Sequence, residues 1–290
     1  MALSLVVGVD GSDSSLLAVD WAVDEAARHG LPLRVVHASR WEAYEGGRPS
    51  FGTGRSAQEV MADHIVASCV ERARRRNPDV RVSGEALADD AVLALLRTGA
   101  DAFALVTGSR GRGEIAGMLL GSVSLAVAAR AACPVIVIRG PGPDHHEGSG
   151  RVVVGVGTAA GSGAVRFAFR EAQARGCSLT AIRAWRNPSQ EPVDHVLLAD
   201  DAARLREERA SAGLEDALRQ AVREYPEVDV LRDTAEGPAH RVLLEASAGA
   251  DLVVVGAQRR HGHFGLQLGR VAHTLLHHSP CPVAVVPHPV

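Results

Sequence analysis

Short apolar runs alternate along this chain with stretches in which apolar positions recur every third or fourth residue. The runs at 5–9, 33–38, 103–107 and 134–138 have the length of buried strands, and 80–85 reads as one more. Between them, 15–28, 57–75 and 89–97 carry helical spacing. Leu16, Val19 and Val23 share one face of the first, and Met61, Ile65 and Cys69 form a stripe on the second. Residues 40–55, rich in Gly, Pro and Ser, read as a long loop. Strand and helix in alternation predict a parallel sheet covered on both faces.

The pattern then starts again. Leu5-Val6-Val7-Gly8-Val9 returns as Val152-Val153-Val154-Gly155-Val156, Gly99-Ala100-Asp101 as Gly249-Ala250-Asp251, and Ala132-Cys133-Pro134-Val135 as Pro280-Cys281-Pro282-Val283. A repeat of this length is a domain rather than a solenoid unit. The division expected is a first domain at 1–140, a linker at 141–150 and a second domain at 151–290. The linker is the run from Pro141 to Gly150, dense in Gly and Pro. The second half reads as strand, helix, strand, helix at 152–156, 163–175, 179–184 and 196–224. It continues through 228–231, 240–246, 252–255 and 270–277 to a last strand at 282–286.

Composition narrows the chemistry. A net charge of -3 gives no reason to expect nucleic acid or an anionic membrane as partner. The 31 basic residues are all arginine, since the sequence has no lysine. A P-loop lysine, a Schiff-base lysine and a lysine general base are therefore excluded. Phosphate charge has to be met by backbone N–H groups, arginine or a metal ion. No signal peptide or membrane span is read, and four widely spaced cysteines fit a reducing cytoplasm.

One stretch carries the candidate chemistry: Thr107-Gly108-Ser109-Arg110-Gly111-Arg112-Gly113, followed by Gly121-Ser122. It reads as a strand, a loop freed of Cβ atoms by its glycines, and a helix with Ser122 as N-cap ahead of Val123, Leu125, Val127 and Ala128. The outward N–H groups of such a first turn, at the positive end of the helix dipole, make an anion site of backbone. In an open α/β sheet a ligand binds beyond the strand carboxyl ends where the winding reverses. With the first strand central, Asp10 and Gly108 would share that crevice. Asp10 before Gly11 is also a turn former.

The spacing Gly108-x2-Gly111-x9-Gly121-Ser122 resembles the nucleotide-binding signature of the universal stress protein family, without departure in this copy. The resemblance implies two tandem Rossmann-like (adenine nucleotide alpha hydrolase-like) domains, each a five-stranded parallel sheet. It also implies ATP, with Mg²⁺, as ligand of the first. On that reading Gly8, Val9, Asp10 and Gly11 lie along the crevice, with Asp10 near the ribose or the metal, and Ala38 offers its backbone to adenine. Gly108, Ser109, Arg110, Gly111, Arg112 and Gly113, with Gly121, Ser122 and Val123, cradle ribose and phosphates. Proteins resembling this one pair their last strands between domains or subunits, so a homodimer or an intrachain pseudo-dimer is expected. The role implied is signalling by nucleotide occupancy in stress or dormancy, with a regulatory protein as a further partner. A slow ATPase or nucleotidyl transferase, or a scaffold with structural nucleotide, are the alternatives. No nucleophile–base–acid set stands out.

The second copy departs from the signature. Arg259 stands where a glycine is expected, Arg270 replaces Ser/Thr after Gly269, and Gly157 takes the place of Asp10. A degenerate second site is expected. Gly155-Val156-Gly157-Thr158-Ala159-Ala160 imitates a dinucleotide fingerprint, but Ala184-Trp185 stands where its acidic residue belongs. His273 and His277, with His278, His261 and His263 nearby, have metal-binding spacing but no carboxylate or cysteine to complete a set, so a solvated or anion-facing cluster is expected. Cys133 and Cys281 read as small buried residues. Trp41 and Trp185 read as loop packing.

Overall fold

The computed structural model describes residues 3–40, 56–111, 120–139, 150–157, 163–186, 196–257, 259–262 and 265–287; for 196–201 and 259–267 only the backbone is described. The chain divides into two compact units, Met1–His145 and His146–Val290. The expected linker lies outside the described residues except for Gly150.

In the first unit the order is β1 (Leu5–Gly8), α1 (Asp13–His29), β2 (Leu33–Ala38), α2 (Ala57–Arg76), β3 (Val82–Leu87), α3 (Ala91–Thr98), β4 (Ala104–Gly108), α4 (Ser122–Arg130) and β5 (Val135–Ile138). The strands lie in the order β3-β2-β1-β4-β5. All neighbours are parallel, with Gly8 opposite both Val36 and Thr107, and Gly108 opposite Ile138. The winding therefore reverses between β1 and β4. Leu5, Val6 and Val7 are fully buried, as are Ala104, Leu105 and Val106, which is the signature of strands covered on both faces.

Local chemistry places the helices. Ser12 caps α1 by accepting from the Ser15 N–H. At its other end Gly30 takes the left-handed conformation (φ 62°), and Leu31 N and Gly30 N donate to the Ala26 and Ala27 carbonyls in a Schellman closure. Ser56 accepts from the Glu59 N–H to start α2, and Asp90 accepts from Val92 and Leu93 to start α3. Two guanidinium forks tie α2 to α1. Arg72 donates through Nε and Nη2 to the two oxygens of the buried Asp20 at 2.7 and 2.5 Å, and Arg76 grips Asp24 at 2.7 Å through both contacts.

The second unit repeats the plan: β6 (Arg151–Gly155), α5 (Gly163–Arg175), β7 (Ser178–Trp185), α6 (Val196–Glu224), β8 (Val230–Glu236), α7 (Ala239–Ser247), β9 (Leu252–Ala257), then α8 (Arg270–His278) and β12 (Val283–Pro287). Its strands run β8-β7-β6-β9-β12, again with parallel neighbours. Between β9 and α8 it holds an antiparallel hairpin, β10 (Arg259–Gly262) and β11 (Gly265–Leu268), which apolar periodicity does not reveal. Among the described residues no helix is long and apolar enough to cross a membrane.

The outer strand β3 runs two residues later than the pattern predicts, and β8 starts two residues later and ends five later. Both are largely exposed, so burial does little to mark their ends. Tight packing fixes β3 instead: a Cβ on Gly84 would stand 2.5 Å from Val66 Cγ1 and 2.7 Å from Val70 Cγ2.

Candidate nucleotide site at the carboxyl ends of β1 and β4

Parallel pairing of β1 with β4 brings two distant loops to one edge of the first unit's sheet. The strand β1 stops at Gly8, one residue before its apolar run ends, and Asp10 sits in the loop beyond it. Gly11, at φ 79°, turns the chain into α1. Asp10 Oδ1 accepts from Ser12 N at 3.0 Å and Ser12 Oγ at 2.6 Å, so the turn-forming role is real. Its other oxygen, Oδ2, stands over the second loop, 2.6 Å from where a Cβ on Gly111 would be. One carboxylate thus pins its own turn and faces the glycine loop.

That loop is held from three sides. Gly108 lies against the first turn of α1, where a Cβ would be 2.5 Å from Ser14 Oγ and 2.6 Å from its carbonyl oxygen. Ser14 Oγ accepts from the Arg110 N–H at 3.2 Å. Ser124 Oγ donates to the Gly108 carbonyl at 2.8 Å, and Gly121 N donates to the Ser109 carbonyl at 2.8 Å. Glycine is required at 108, where backbone stands in the way, while at 111 a Cβ would have to displace the end of the Asp10 side chain. At Gly121 a Cβ would meet nothing nearer than 3.6 Å among the described residues.

The N-cap of α4 is Gly121 and not Ser122. Its carbonyl accepts from Leu125 N, so the helical ladder opens one residue earlier than the sequence suggests, and Ser122 becomes the first helical residue. No side chain caps this start. The starts of α1, α2 and α3 are capped by the Ser12, Ser56 and Asp90 side chains, whereas among the described residues those of α4, α7 and α8 have no side-chain cap.

Of the candidate residues, Gly8, Val9, Asp10, Gly11, Gly108, Ser109, Arg110, Gly111, Gly121, Ser122 and Val123 gather at this edge. Ala38 ends β2 beside them, paired with Leu87. Arg112, Gly113 and Trp41 lie outside the described residues. Sequence reasoning missed three supports. Ser14 and Ser124 hold the loop as described, and His37 is buried with Nδ1 2.8 Å from the Val9 carbonyl. A carbonyl only accepts, so that nitrogen carries the proton. Arg139 lies just past β5, its guanidinium held below its ordinary basicity by burial first and by the charge of Arg110 second.

The second unit departs at matching places. Gly157 replaces Asp10, and its carbonyl accepts from Arg183 Nη1 at 3.0 Å, whereas His37 of the first unit meets the carbonyl of Val9, one place earlier. The hairpin spans the positions that match 111–120 of the first unit, most of which lie outside the described residues. His273 and His277 stack with ring centroids 4.4 Å apart. No third ligand among the described residues joins them in a group able to hold a metal, and the side chains of His261 and His263 are outside the described residues.

Cys69, Cys133 and Cys281 are buried, and burial pushes each thiol up to about 11. At pH 8 a thiol-reactive disulfide should reach only the partly exposed Cys177 quickly, and all four after denaturation. A thiol raised in the folded state stabilises fully below its unfolded value near 9 and less as pH climbs to about 11. The melting temperature should fall over that window.

The sequence matches the universal stress protein family over residues 1–139 and 148–287. A universal stress protein of Mycobacterium tuberculosis H37Rv is 35% identical over 291 residues, spanning 97% of this chain and 96% of its own. One from Mycolicibacterium smegmatis is 31% identical over 292 residues, with the same coverage. The crystal structure of a universal stress protein from Archaeoglobus fulgidus superposes with a TM-score of 0.65 at 17% identity, covering 98% of each chain, which is a likeness of fold. Two copies of one α/β domain, joined in tandem and matched along their length by these relatives, make this chain a member of the universal stress protein family.

Proposed function

We propose that the first unit binds ATP with Mg²⁺ and that its occupancy is the signal the protein carries in stress or dormancy. The observation that carries this reading is the meeting, at the winding reversal between β1 and β4, of Asp10 with a glycine loop that Gly108 packs tightly against α1 just ahead of the α4 start. Backbone N–H groups of the glycine loop left over by its internal bonds, with those of Ser122 and Val123, would take the phosphates, while the N–H groups of Arg110 and Gly121 hold the loop in shape. Ala38 would meet adenine through its backbone, beside Gly8, Val9 and Gly11. Asp10 suits the ribose or the metal ion, since Mg²⁺ prefers a carboxylate oxygen together with phosphate and water.

The site holds anions but lacks a positioned general base among its described residues, so binding rather than turnover is the function proposed. The second unit, with Gly157 for Asp10, Arg259 for Gly111 and Arg270 for Ser122, is proposed to leave its crevice without ATP. The protein is proposed to act in the cytoplasm, where a regulatory protein would read the occupied state. Calorimetry of the full chain with Mg²⁺ and ATP tests this. One equivalent per chain is expected, and the same nucleotide should be released when freshly purified protein is denatured. No uptake by well-folded protein overturns the reading, and two equivalents overturn the assignment of the second unit.

A further inference from the structure

We infer that two copies of this chain join through the outer edge of β3, antiparallel about Ser83, so that Arg81 of each copy lies opposite Glu85 of the other. The inference goes beyond the nucleotide reading and does not depend on it.

The edge is the first argument. β3 is the outer strand of the first unit's sheet, and among the described residues it pairs with β2 alone. Leu33 N donates to the Arg81 carbonyl and Ser39 N to the Leu87 carbonyl. Backbone direction alternates along a parallel ladder, so 81, 83, 85 and 87 turn their groups to β2 while Val82, Gly84 and Ala86 turn theirs outward. Ser83, Gly84 and Glu85 are exposed. The helix α2 leaves this edge open: a cleft runs along it, with Val66, Val70 and Arg74 on the helix side and Gly84 and Ala86 on the strand side. An unpaired edge of this kind is a template for another strand.

Register and charge are the second. A second β3 brought up antiparallel has to set outward-facing residues against each other. Pairing about Ser83 does this, with Val82 of each copy exchanging ladder hydrogen bonds with Gly84 of the other. Arg81 and Glu85 then meet twice, at the non-hydrogen-bonded places where side chains come closest. Moving the axis to Val82 sets Asp79 against Glu85, and moving it to Gly84 sets Arg81 against Leu87. Gly84 packs on α2, so Arg81 and Glu85 lie on the opposite face of the sheet, where Arg34 already reaches Glu85 at 3.3 Å. Glu85 would sit between two guanidinium groups, and Arg81, exposed and without an ion pair among the described residues, would gain its carboxylate.

The second unit gives the third. Strand register matches Val82 to Val230, so Arg81 corresponds to Asp229, Ser83 to Leu231 and Glu85 to Asp233. The same pairing of β8 with itself would set Asp229 against Asp233 twice, and like charges there are destabilising. A β3 against a β8 would gain one opposite pair and one like pair. Of the two edge strands only β3 complements itself, so association closes at a two-fold dimer and does not run on into a chain.

Sedimentation velocity on the full chain tests this with the wild type, Arg81→Glu, Glu85→Arg and the double variant. The wild type should dimerise with concentration. Each single substitution turns both opposite pairs into like pairs and should raise the dimer dissociation constant at least about tenfold. The double variant, with the charges exchanged, should return to within about threefold of the wild type. Arg81→Glu mixed with Glu85→Arg should form a mixed dimer tighter than either variant forms alone, a gain that no loss of folding can produce. A wild type that stays monomeric at the highest concentration it tolerates, a dimer indifferent to both single substitutions, or a mixture no tighter than its components overturns the inference.

Discussion

Gly108→Ala should abolish nucleotide uptake and destabilise the first unit as well. The added methyl would be driven into the Ser14 backbone, 2.6 Å from its carbonyl oxygen and 2.7 Å from its carbonyl carbon. Backbone inside a helix turn cannot swing aside, so either β4 or the start of α1 must shift. Overpacking of this kind costs about 1–3 kcal/mol. For a unit of this size that is a fall of several degrees, at about 4–8 °C per kcal/mol for a domain of roughly 100 residues. The shift would also pull Arg110 N from Ser14 Oγ and Gly108 O from Ser124 Oγ, the bonds that shape the loop. Differential scanning calorimetry should resolve the loss. An unchanged melting curve with full ATP binding would mean that this approach is not rigid.

Gly111→Ala should separate the two effects. Among the described residues its methyl would meet only the end of the Asp10 side chain, with Oδ2 at 2.6 Å and Cγ at 3.8 Å. A carboxylate can rotate away, so the melting temperature should stay within about 2 °C of wild type, less than 1 kcal/mol moves it. Affinity for Mg²⁺ and ATP should nonetheless fall at least about tenfold, about 1.4 kcal/mol, because the displaced oxygen is the one proposed to face ribose or metal. Gly121→Ala is the matched control, since its methyl has space in the protein alone and any loss there would report on the ligand directly. Equal affinity for wild type and Gly111→Ala would remove Asp10 from the site.

How far the residues announced this arrangement depended on where their partners lie. The inner strands were legible because Leu5 to Val7 and Ala104 to Val106 are buried on both faces, and such burial leaves an unbroken apolar run. The glycine spacing was legible because the sites where a Cβ cannot fit lie within one stretch. The supports were not. His37 reaches Val9 across 28 positions and Ser14 meets Arg110 across 96, contacts that exist only once parallel strands are in register. Ser122 was misread for a local reason. Serine is the commoner cap, but the chain enters α4 through Gly121, whose N–H is taken by Ser109. The hairpin at 259–268 escaped because Arg-Arg-His-Gly and Gly-Leu-Gln-Leu alternate too weakly to read as strands.

The bare start of α4 also bears on what such a protein would report inside a cell. A cluster of amide donors does not distinguish one small oxyanion from another, and free orthophosphate is abundant wherever nucleotide is. Orthophosphate resting in the cradle raises the apparent dissociation constant for ATP in proportion to its own concentration over its own affinity. The loading of the site would then follow the ratio of ATP to orthophosphate, a measure of energy charge, rather than the level of either alone.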